Sequence, residues 1–337
     1  MKIKFALIAA MSVTLILCSC SQPEEYSMDI FAMDTYMSLM AYGRNSEKAL
    51  EEAAEEIEKT EELLSVTRPD SEISQLNENG FLENPSDDML YLVKTGVELN
   101  GEVDGAFDIT LYPVIQAWGF TTESKNIPTE ETLVGLLSDT GVARVHFENG
   151  ITLDDNTKVD LGGIAKGYAG KKAADILKQY SITSALLNMG GNIQTIGAKP
   201  DGSSWKIGIK DPQNESSLVG SVEIIDKAVV TSGGYERFFI GDDGKRYHHI
   251  IDPKTGKPAE NGIISATVIG DDGTLCDALS TSLYIMGTEK ASEYLNAHSE
   301  TNAILVTEDR TLYITRGIEP VFKPLNEYIN TTINVIG

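Results

Sequence analysis

Apolar and polar residues along this 337-residue chain follow the helical period in some segments and the strand period in others. Helical spacing predicts helices over residues 46–64, 87–99, 129–138, 165–180, 275–286 and 288–296, with Ser46 and Ser86 as N-caps. Strand-like runs cover residues 30–42, 142–147, 151–153, 185–193, 205–209, 220–225, 228–231, 246–251, 264–269, 303–306 and 312–315. No repeat and no long linker divides the chain, so the pattern predicts one α+β body.

The stretch from Val159 to Tyr168 joins a strand-like segment to the start of a helix. Asp160 stands between two apolar residues, and Gly162-Gly163 then opens the helical run. Such a junction points free backbone N–H groups at the turn, where they suit an anion and above all a phosphate. The spacing matches neither a Walker loop nor a G-x-G-x-x-G fingerprint. Taken alone, the stretch also fits a tight turn in an ordinary α/β core.

The chain is strongly acidic, with 27 Lys and Arg against 51 Asp and Glu and a formal net charge of −24. A nucleic-acid partner is not expected, since its phosphates would be repelled. If the protein binds a phosphorylated ligand, a bridging cation would be needed for the same reason.

The N-terminus predicts export. Lys2 and Lys4 precede an apolar run over residues 5–17, which is too short to span a bilayer and is typical of a secretory signal. Leu17-Cys18-Ser19-Cys20 resembles a bacterial lipobox, which implies removal of residues 1–19, lipidation of Cys20, a tether over 20–28 and a domain over 29–337. The expected location is the extracytoplasmic face of a bacterial cell membrane; plain signal cleavage nearby is the alternative. Only Cys276 would then remain as a free thiol, so no intramolecular disulfide is expected.

Asp277 and Thr281 are four residues apart on a predicted helix and therefore share one face. A carboxylate and a hydroxyl are oxygen donors of the kind that Mg²⁺ prefers, and the Gly162-Gly163 turn could add a backbone carbonyl. The alternative for Asp277 is an N-terminal helix acid favoured by the helix dipole.

Two further segments are candidates for a site. His248 and His249 are adjacent in a predicted strand and point to opposite faces, so one could enter a site, although a strand histidine is commonly structural. The loop over residues 103–110 places two acids around Phe107, and Trp118-Gly119-Phe120 follows; both segments predict a ligand rim. Packing of Phe107 and Trp118 into the core is the alternative.

Seven short motifs recur in a fixed order along the chain. They are Met33-Asp34-Thr35, Asp104-Gly105-x-Phe107-Asp108, Asp160-Leu161-Gly162-Gly163-Ile164-Ala165-Lys166-Gly167, Asn188-x-Gly190-Gly191-Asn192, Thr231-Ser232-Gly233-x-Tyr235-Glu236-Arg237, His249-x-Ile251-Asp252-Pro253-x-Thr255-Gly256 and Asp277-Ala278-x-x-Thr281. Together, and over about residues 30–315, they resemble the FAD:protein FMN transferase family, called ApbE.

The resemblance implies a T-fold-like α+β body with antiparallel sheets flanked by helices. It also implies an FAD substrate held with Mg²⁺, transfer of FMN to a Ser or Thr hydroxyl of an acceptor protein, and release of AMP. The residues it implies are Asp277, Thr281 and the Gly163 carbonyl for the metal; Met33, Ala106, Phe107, Asp108, Asp160, Lys166 and Ile251 for FAD; and His249 as general base.

One position departs from the family. Thr67 stands where many members have a tyrosine, which leaves stacking of the isoalloxazine there without support; Phe107 and Tyr235 are the rings that could compensate. The chain also lacks an Asp-Gly-x-Ser/Thr-Gly-Ala-like acceptor segment, so a separate acceptor is expected, most naturally a membrane-associated redox protein.

Other functions stay open at this stage. An Mg²⁺-dependent FAD pyrophosphatase giving FMN and AMP would use the same residues. A non-catalytic FAD-binding lipoprotein, or an exported solute binder, would need neither the Asp277 and Thr281 pair nor His249.

Overall fold

The computed structural model describes residues 24–122 and 124–337, and the predicted signal peptide and Cys20 lie outside these ranges. The described part is an α+β body, as predicted, and none of its helices is long and apolar enough to cross a membrane. The helices are α1 (Ser46–Leu64), α2 (Glu72–Asn79), α3 (Asp87–Glu102), α4 (Tyr112–Trp118), α5 (Glu130–Leu137), α6 (Ala165–Gln179) and α7 (Gly273–Ala297). The strands are β1 (Glu25–Ala32), β2 (Thr35–Tyr42), β3 (Phe81–Leu82), β4 (Val145–His146), β5 (Ile151–Leu153), β6 (Ala185–Met189), β7 (Asn192–Ile196), β8 (Trp205–Asp211), β9 (Asn214–Ile224), β10 (Ala228–Gly233), β11 (Phe238–Ile240), β12 (Arg246–His248), β13 (Ile263–Gly270), β14 (Asn302–Thr307), β15 (Leu312–Thr315), β16 (Phe322–Pro324) and β17 (Ile333–Ile336).

A nine-stranded sheet in the order β1-β2-β6-β7-β10-β13-β14-β15-β17 forms the centre of the molecule. Neighbouring strands are antiparallel except for the last pair, β15 and β17, which are parallel. Successive side chains of a strand point to opposite faces. In β14, Ala303 and Leu305 therefore pack on one side of the sheet, while Ile304 and Val306 pack on the other.

Helices cover one face of this sheet, and a smaller sheet covers the other face from β10 to β15. Helices α1 and α6 bury the strands β1, β2 and β6, and α7 lies beside α6 over β10 and β13. A three-stranded sheet, β16-β9-β8, covers the opposite face and shares a hydrophobic core with β13, β14 and β15. The segment between α1 and α6 carries α2 to α5 and the small sheet β3-β5-β4. It shares one hydrophobic core with α6, α7 and β10. The result is antiparallel sheets flanked by helices, as predicted.

The segment over residues 30–42, predicted as one strand, is a hairpin. Its first strand begins at Glu25, so residues 25–28, which the sequence assigned to a tether, belong to the sheet. The turn consists of Met33 and Asp34, with φ of 51° and 58°. Two-residue turns with positive φ at both positions usually carry Asn-Gly or Asp-Gly, so Met33-Asp34 is not recognisable as such a turn from its residues.

Most helix boundaries were predictable from caps and breakers. The bounds of α1 are confirmed, but Ser46 is its first residue and donates to the Gly43 carbonyl at 2.8 Å, so it is not the N-cap. Ser86 caps α3 as predicted, accepting from the Met89 N–H at 3.1 Å, although this helix continues three residues beyond Leu99. The two predicted C-terminal helices are the halves of α7, which bends at Gly287 with φ 75°.

Five helices and strands were missed: α2, β3, α4, β16 and β17. The helix α2 carries an N-cap, Ser71, and a left-handed C-cap, Gly80 with φ 69°, so its signals were present in the sequence. Residues 112–118, expected to belong to a loop, form α4, which has Pro113 in its first turn and ends at Gly119 with φ 77°.

The first turns of α6 and α7 touch at Gly167. Its N–H donates to the Asp277 Oδ2 atom at 2.7 Å. A Cβ at this position would lie 2.1 Å from the Gly273 carbonyl oxygen and 2.7 Å from the Asp277 Cβ. Because the obstacles are backbone and the root of a side chain, only glycine allows this approach.

We expect Gly167→Ala to destabilise the fold by about 1–3 kcal/mol or more, because α6 and α7 must move apart, in spite of the better helix propensity of alanine. Urea unfolding measures the change. Gly135→Ala is the matched control, since a Cβ there meets nothing within 4 Å inside α5, and it should be stabilising by about 0.5–1 kcal/mol. Equal stability of the two variants would show that the helix contact is not tight.

Candidate functional site

A cleft of about 660 Å³ opens beside the first turns of α6 and α7. Its walls come from the β1–β2 turn, the end of α1, the loop before α4, the α6 junction, the β10–β11 connection, the segment after β12 and α7. All eleven ligand-binding and catalytic residues named from the sequence line this cleft: Met33, Ala106, Phe107, Asp108, Asp160, Gly163, Lys166, His249, Ile251, Asp277 and Thr281. Their roles in binding or catalysis stay predictions.

The lining of the cleft is acidic. Six carboxylates line it, and Lys166 and Arg237 are the lysine and arginine that face them. Burial raises the pKa of four of these acids: Asp108, Asp160, Glu236 and Asp277. Because the acids outnumber the basic side chains, ionisation of these acids would repel an anionic ligand unless a cation entered with it.

Asp277 lies in the second turn of α7 with 5% of its surface exposed. Burial raises its pKa to about 6, while Lys166 and the Gly167 N–H favour the ionised form. The amide of Asn192 lies near the carboxyl and also favours its ionised form, yet Asn192 Nδ2 is buried and makes no well-formed hydrogen bond to a described residue. Both residues line the cleft, where the Asp277 carboxyl can accept further hydrogen bonds and the Asn192 amide can donate them to a ligand.

Thr281 lies one turn along α7 from Asp277 and lines the same cleft. Its hydroxyl is 3.1 Å from the Ser232 hydroxyl of β10. Gly163 lies under Phe107, since a Cβ on Gly163 would be 3.0 Å from that ring. The side-chain donors gathered here are therefore a carboxylate and hydroxyls; within the described ranges, no three His, Cys, Asp or Glu side chains form a metal-sized cluster.

The α6 junction differs from the phosphate-binding turn that the sequence suggested. The Gly162 N–H donates to Asp160 Oδ1 at 2.6 Å, and the Gly167 N–H donates to Asp277. The N–H groups of Ile164 and Ala165 donate to the Leu161 carbonyl. The expectation of free N–H groups is wrong at these four positions, because local carboxylates and a backbone carbonyl already accept from them.

The two adjacent histidines have different surroundings. Strand β12 ends at His248, earlier than predicted, and this ring is buried, with Nε2 3.1 Å from the Ala259 carbonyl and Nδ1 accepting from the Ile250 N–H at 3.3 Å. His249 instead lines the cleft. Its Nδ1 lies 3.1 Å from the Arg237 carbonyl, which can only accept, so Nδ1 carries the proton and Nε2 is the basic nitrogen.

Burial lowers the pKa of His249 to about 3, and the positive charges of Arg237 and Lys166 act in the same direction. In the substrate-free protein the imidazole is thus neutral at physiological pH. Neutrality is the state that a proton acceptor needs.

Aromatic rings form part of the cleft wall, and Phe107 adjoins the α6 junction. Phe107 and Phe120 line the cleft together with Thr67. Phe120 belongs to the segment predicted as a ligand rim, and its ring centroid is 6.5 Å from that of His249. Tyr235 does not line the cleft and is buried beside Gly233, so of the two rings proposed to compensate for Thr67, Phe107 alone is in place.

Trp118 is a core residue rather than part of the rim. It is 2% exposed, and its indole N–H donates to the Gly256 carbonyl at 2.7 Å. The core alternative is therefore correct for Trp118, whereas Phe107 is both buried and turned to the cleft.

Four further cleft residues, Asn192, Ser232, Glu236 and Arg237, were not selected from the sequence. All four lie within the motifs that carried the family resemblance, so their signal was present. Arg237 also supports its surroundings, because its carbonyl accepts from His249 and its guanidinium lies 3.7 Å from Asp34.

Replacement of Asp277 by asparagine tests the buried charge without a metal ion. The folded-state pKa is raised from 3.8 to about 6, so this group stabilises the fold below about pH 4, and that contribution is lost as the pH rises to about 6. Asp277→Asn removes the titration and keeps an oxygen for the Gly167 N–H. In chelator, we expect the variant to gain up to about 3 kcal/mol relative to wild type between low and neutral pH, measured by urea unfolding.

A matched control for this titration is Asp70→Asn, whose side chain is 74% exposed. Its stability difference from wild type should change little over the same pH range, because exposed ion pairs contribute little. A pH-independent difference for Asp277→Asn would contradict the raised pKa.

Comparison with known proteins agrees with this arrangement. The family model described as ApbE family matches residues 33–305. The FAD:protein FMN transferase of Vibrio cholerae is 32% identical over 314 residues, covering 90% of this chain and 94% of that protein. The FAD:protein FMN transferase of Treponema pallidum is 31% identical over 320 residues, covering 87% of this chain and 88% of that protein.

Solved structures show the same likeness. The ApbE protein from Thermotoga maritima has a TM-score of 0.83 at 30% identity, over 88% of this chain and 99% of that one. The flavin transferase ApbE from Vibrio cholerae has a TM-score of 0.80 at 30% identity, over 89% of this chain and 99% of that one. A chain that matches the family model over most of its length, and that gathers the family's motif residues in one cleft, belongs to the ApbE family.

Proposed function

We propose that this protein is an FAD:protein FMN transferase, which moves FMN from FAD to a Ser or Thr hydroxyl of an acceptor protein and releases AMP. The relatives bear the name of this activity. The observation that carries the proposal is that His249, with Nε2 as its basic nitrogen, and the buried carboxylate of Asp277 line the same cleft. A flavin binder without chemistry would need neither group.

The donors around Asp277 fit Mg²⁺. The carboxylate of Asp277, the hydroxyl of Thr281 and the carbonyl of Gly163 would hold the ion, and all are oxygen donors. Burial disfavours the ionised form of Asp277, so a cation at its free oxygen positions would stabilise it. The bound ion supplies neutralisation of the diphosphate charge of FAD, which this acidic cleft cannot supply with Lys166 and Arg237 alone.

His249 is the proposed general base. With Nδ1 donating to the Arg237 carbonyl, Nε2 accepts the proton of the acceptor hydroxyl. The hydroxyl oxygen forms a bond to the FMN phosphorus, the bond from that phosphorus to the bridging oxygen breaks, and AMP leaves with the electron pair. Met33, the loop of Ala106 to Asp108, Asp160, Lys166 and Ile251 would hold FAD in the cleft, with Phe107 and Phe120 as the available rings beside the flavin.

The proposed place of action is the extracytoplasmic face of a bacterial membrane, with Cys20 as the lipid-bearing residue. A lipid anchor confines the enzyme to neighbours on the same surface, which favours a membrane-associated redox protein as acceptor. The support for this location is the signal and lipobox pattern of residues 2–20.

Mass spectrometry of a carrier protein tests the reaction. We expect the intact mass of a carrier with an exposed Asp-Gly-x-Thr-Gly-Ala loop to rise by one FMN group after incubation with enzyme, FAD and Mg²⁺. The adduct should be absent with chelator, with the acceptor Thr replaced by Ala, and with Asp277→Ala enzyme that keeps its fold. Free FMN without adduct would identify a pyrophosphatase, and unchanged FAD would refute both activities.

Replacement of His249 tests the base separately. We expect His249→Ala to bind FAD as wild type does while turnover falls about 10²–10⁴-fold, because only proton removal is lost. Stopped assays of adduct formation and flavin fluorescence titrations measure the two effects. The surface histidine His146, 47% exposed beside Asp154, supplies the control His146→Ala, which should change neither quantity. Full activity of His249→Ala would place the base elsewhere.

A further inference from the structure

Two highly exposed aromatic side chains form a pair at the tip of the β1–β2 hairpin. Phe31 is 61% exposed and Tyr36 is 80% exposed, although both belong to regular strands. They are cross-strand partners, and their rings meet edge to face with centroids 5.1 Å apart. Their chain neighbours Ala32 and Met37 point to the opposite face and are 1% exposed in the core. The pair therefore stands on the solvent face of the sheet and stabilises little of the fold.

The pair lies at the rim of the cleft. Four residues separate the two rings along the chain, and the two at the turn, Met33 and Asp34, line the cleft. The turn is held in place, since both residues keep a left-handed φ that is uncommon for side chains of this kind, and Asp34 lies 3.7 Å from the Arg237 guanidinium. The aromatic pair is thus a fixed feature beside the entrance.

The exposed residues on the rest of the hairpin's solvent face are polar, while Met40 and Tyr42 of β2 are half-buried on that side. Glu25, Ser27 and Asp29 of β1 and Ser38 of β2 are exposed on the same side as the two rings. The highly exposed aromatic side chains of the hairpin are those of the cross-strand pair next to the cleft. A sheet face that packed against a second copy of the chain, or against lipid, would be apolar along its length; here a small apolar spot borders the site.

We infer that Phe31 and Tyr36 dock the acceptor protein, a role that rests on the proposed function. The hydroxyl that receives FMN sits on a polypeptide, and that polypeptide must cross the rim to bring it to His249. Exposed aromatic rings at a rim are the side chains that commonly anchor such a contact. The acceptor segment then carries an apolar side chain within a few residues of its Ser or Thr. Its surrounding surface is neutral or basic, because Glu25, Asp29 and the net charge of −24 would repel an acidic one.

Three variants test this surface. Phe31→Ser with Tyr36→Ser removes both rings, and Phe31→Tyr with Tyr36→Phe keeps two rings while exchanging the hydroxyl. Ile329→Ser is the matched control, since Ile329 is 62% exposed and does not line the cleft. The probe is a carrier protein with an Asp-Gly-x-Thr-Gly-Ala loop preceded by leucine, and a second carrier has aspartate in place of that leucine.

We expect the double serine variant to raise the KM for the leucine carrier about tenfold, with kcat and the FAD dissociation constant unchanged. The ring-keeping variant and Ile329→Ser should match wild type, and the aspartate carrier should be a poor substrate for every enzyme. Thermal unfolding of each variant confirms the fold.

Two results would overturn the docking surface: an unchanged KM in the double serine variant, or a loss of FAD affinity in that variant, which would assign the rings to the flavin site. Direct binding of the carrier to enzyme is measured in the same samples. If wild type transfers no flavin, the proposed function fails, and the docking surface is still decided by whether carrier binding falls in the double serine variant and persists in Ile329→Ser.

Discussion

The site depends on the hydrogen bond from the Gly167 N–H to the Asp277 carboxylate. It joins the first turn of α6 to α7 at a point where any side chain on residue 167 would collide with the Gly273 carbonyl. One oxygen of the carboxylate is thereby fixed, and the orientation of the other follows. The same contact sets the distance between Lys166, which precedes Gly167, and the residues of α7 that face it. A small backbone requirement at one residue therefore determines the geometry of the whole wall.

Burial acts on the acids and the base of this cleft in opposite directions. It raises the pKa of Asp160 and Asp277 and lowers that of His249, because each charged form loses contact with water. The substrate-free cleft is therefore driven towards its neutral forms. Entry of a diphosphate with a divalent cation would reverse this, since the cation favours ionised Asp277 and the nearby anion favours proton uptake by His249. Asp277 and His249 are thus positioned for an anionic ligand and its cation, while the substrate-free cleft carries little buried charge.

Much of the site was predictable because most of its residues belong to short sequence motifs. The helix stripes, the Ser86 cap and the hairpins of the central sheet follow from periodicity and turn chemistry, and the motif residues converge in the cleft. The misses have two causes. The turn at Met33 and Asp34 lacks the Asn-Gly or Asp-Gly pair that usually marks such turns, and the N–H groups of Gly162, Ile164 and Ala165 have local acceptors that helical spacing does not reveal. The hydrogen bond from Gly167 to Asp277 joins segments 110 residues apart, which no local pattern displays. At position 67 the sequence shows that the tyrosine of many family members is absent, but only the fold shows that Phe107 and Phe120 line the same cleft as Thr67.

The hairpin connects the proposed anchor to the entrance of the cleft. Five peptide units separate Cys20 from Glu25, and these span at most about 18 Å when extended. From Glu25, β1 runs directly to the rim at Ala32, a further distance of about 23 Å at the usual rise per residue. If Cys20 carries the lipid, the entrance thus lies within about 40 Å of the membrane surface. An acceptor on the same membrane can reach this height with a modest domain or a short stalk. A hydroxyl at the lipid surface itself could be reached only if the whole body tilted, because β1 separates the cleft entrance from the tethered end of the strand at Glu25.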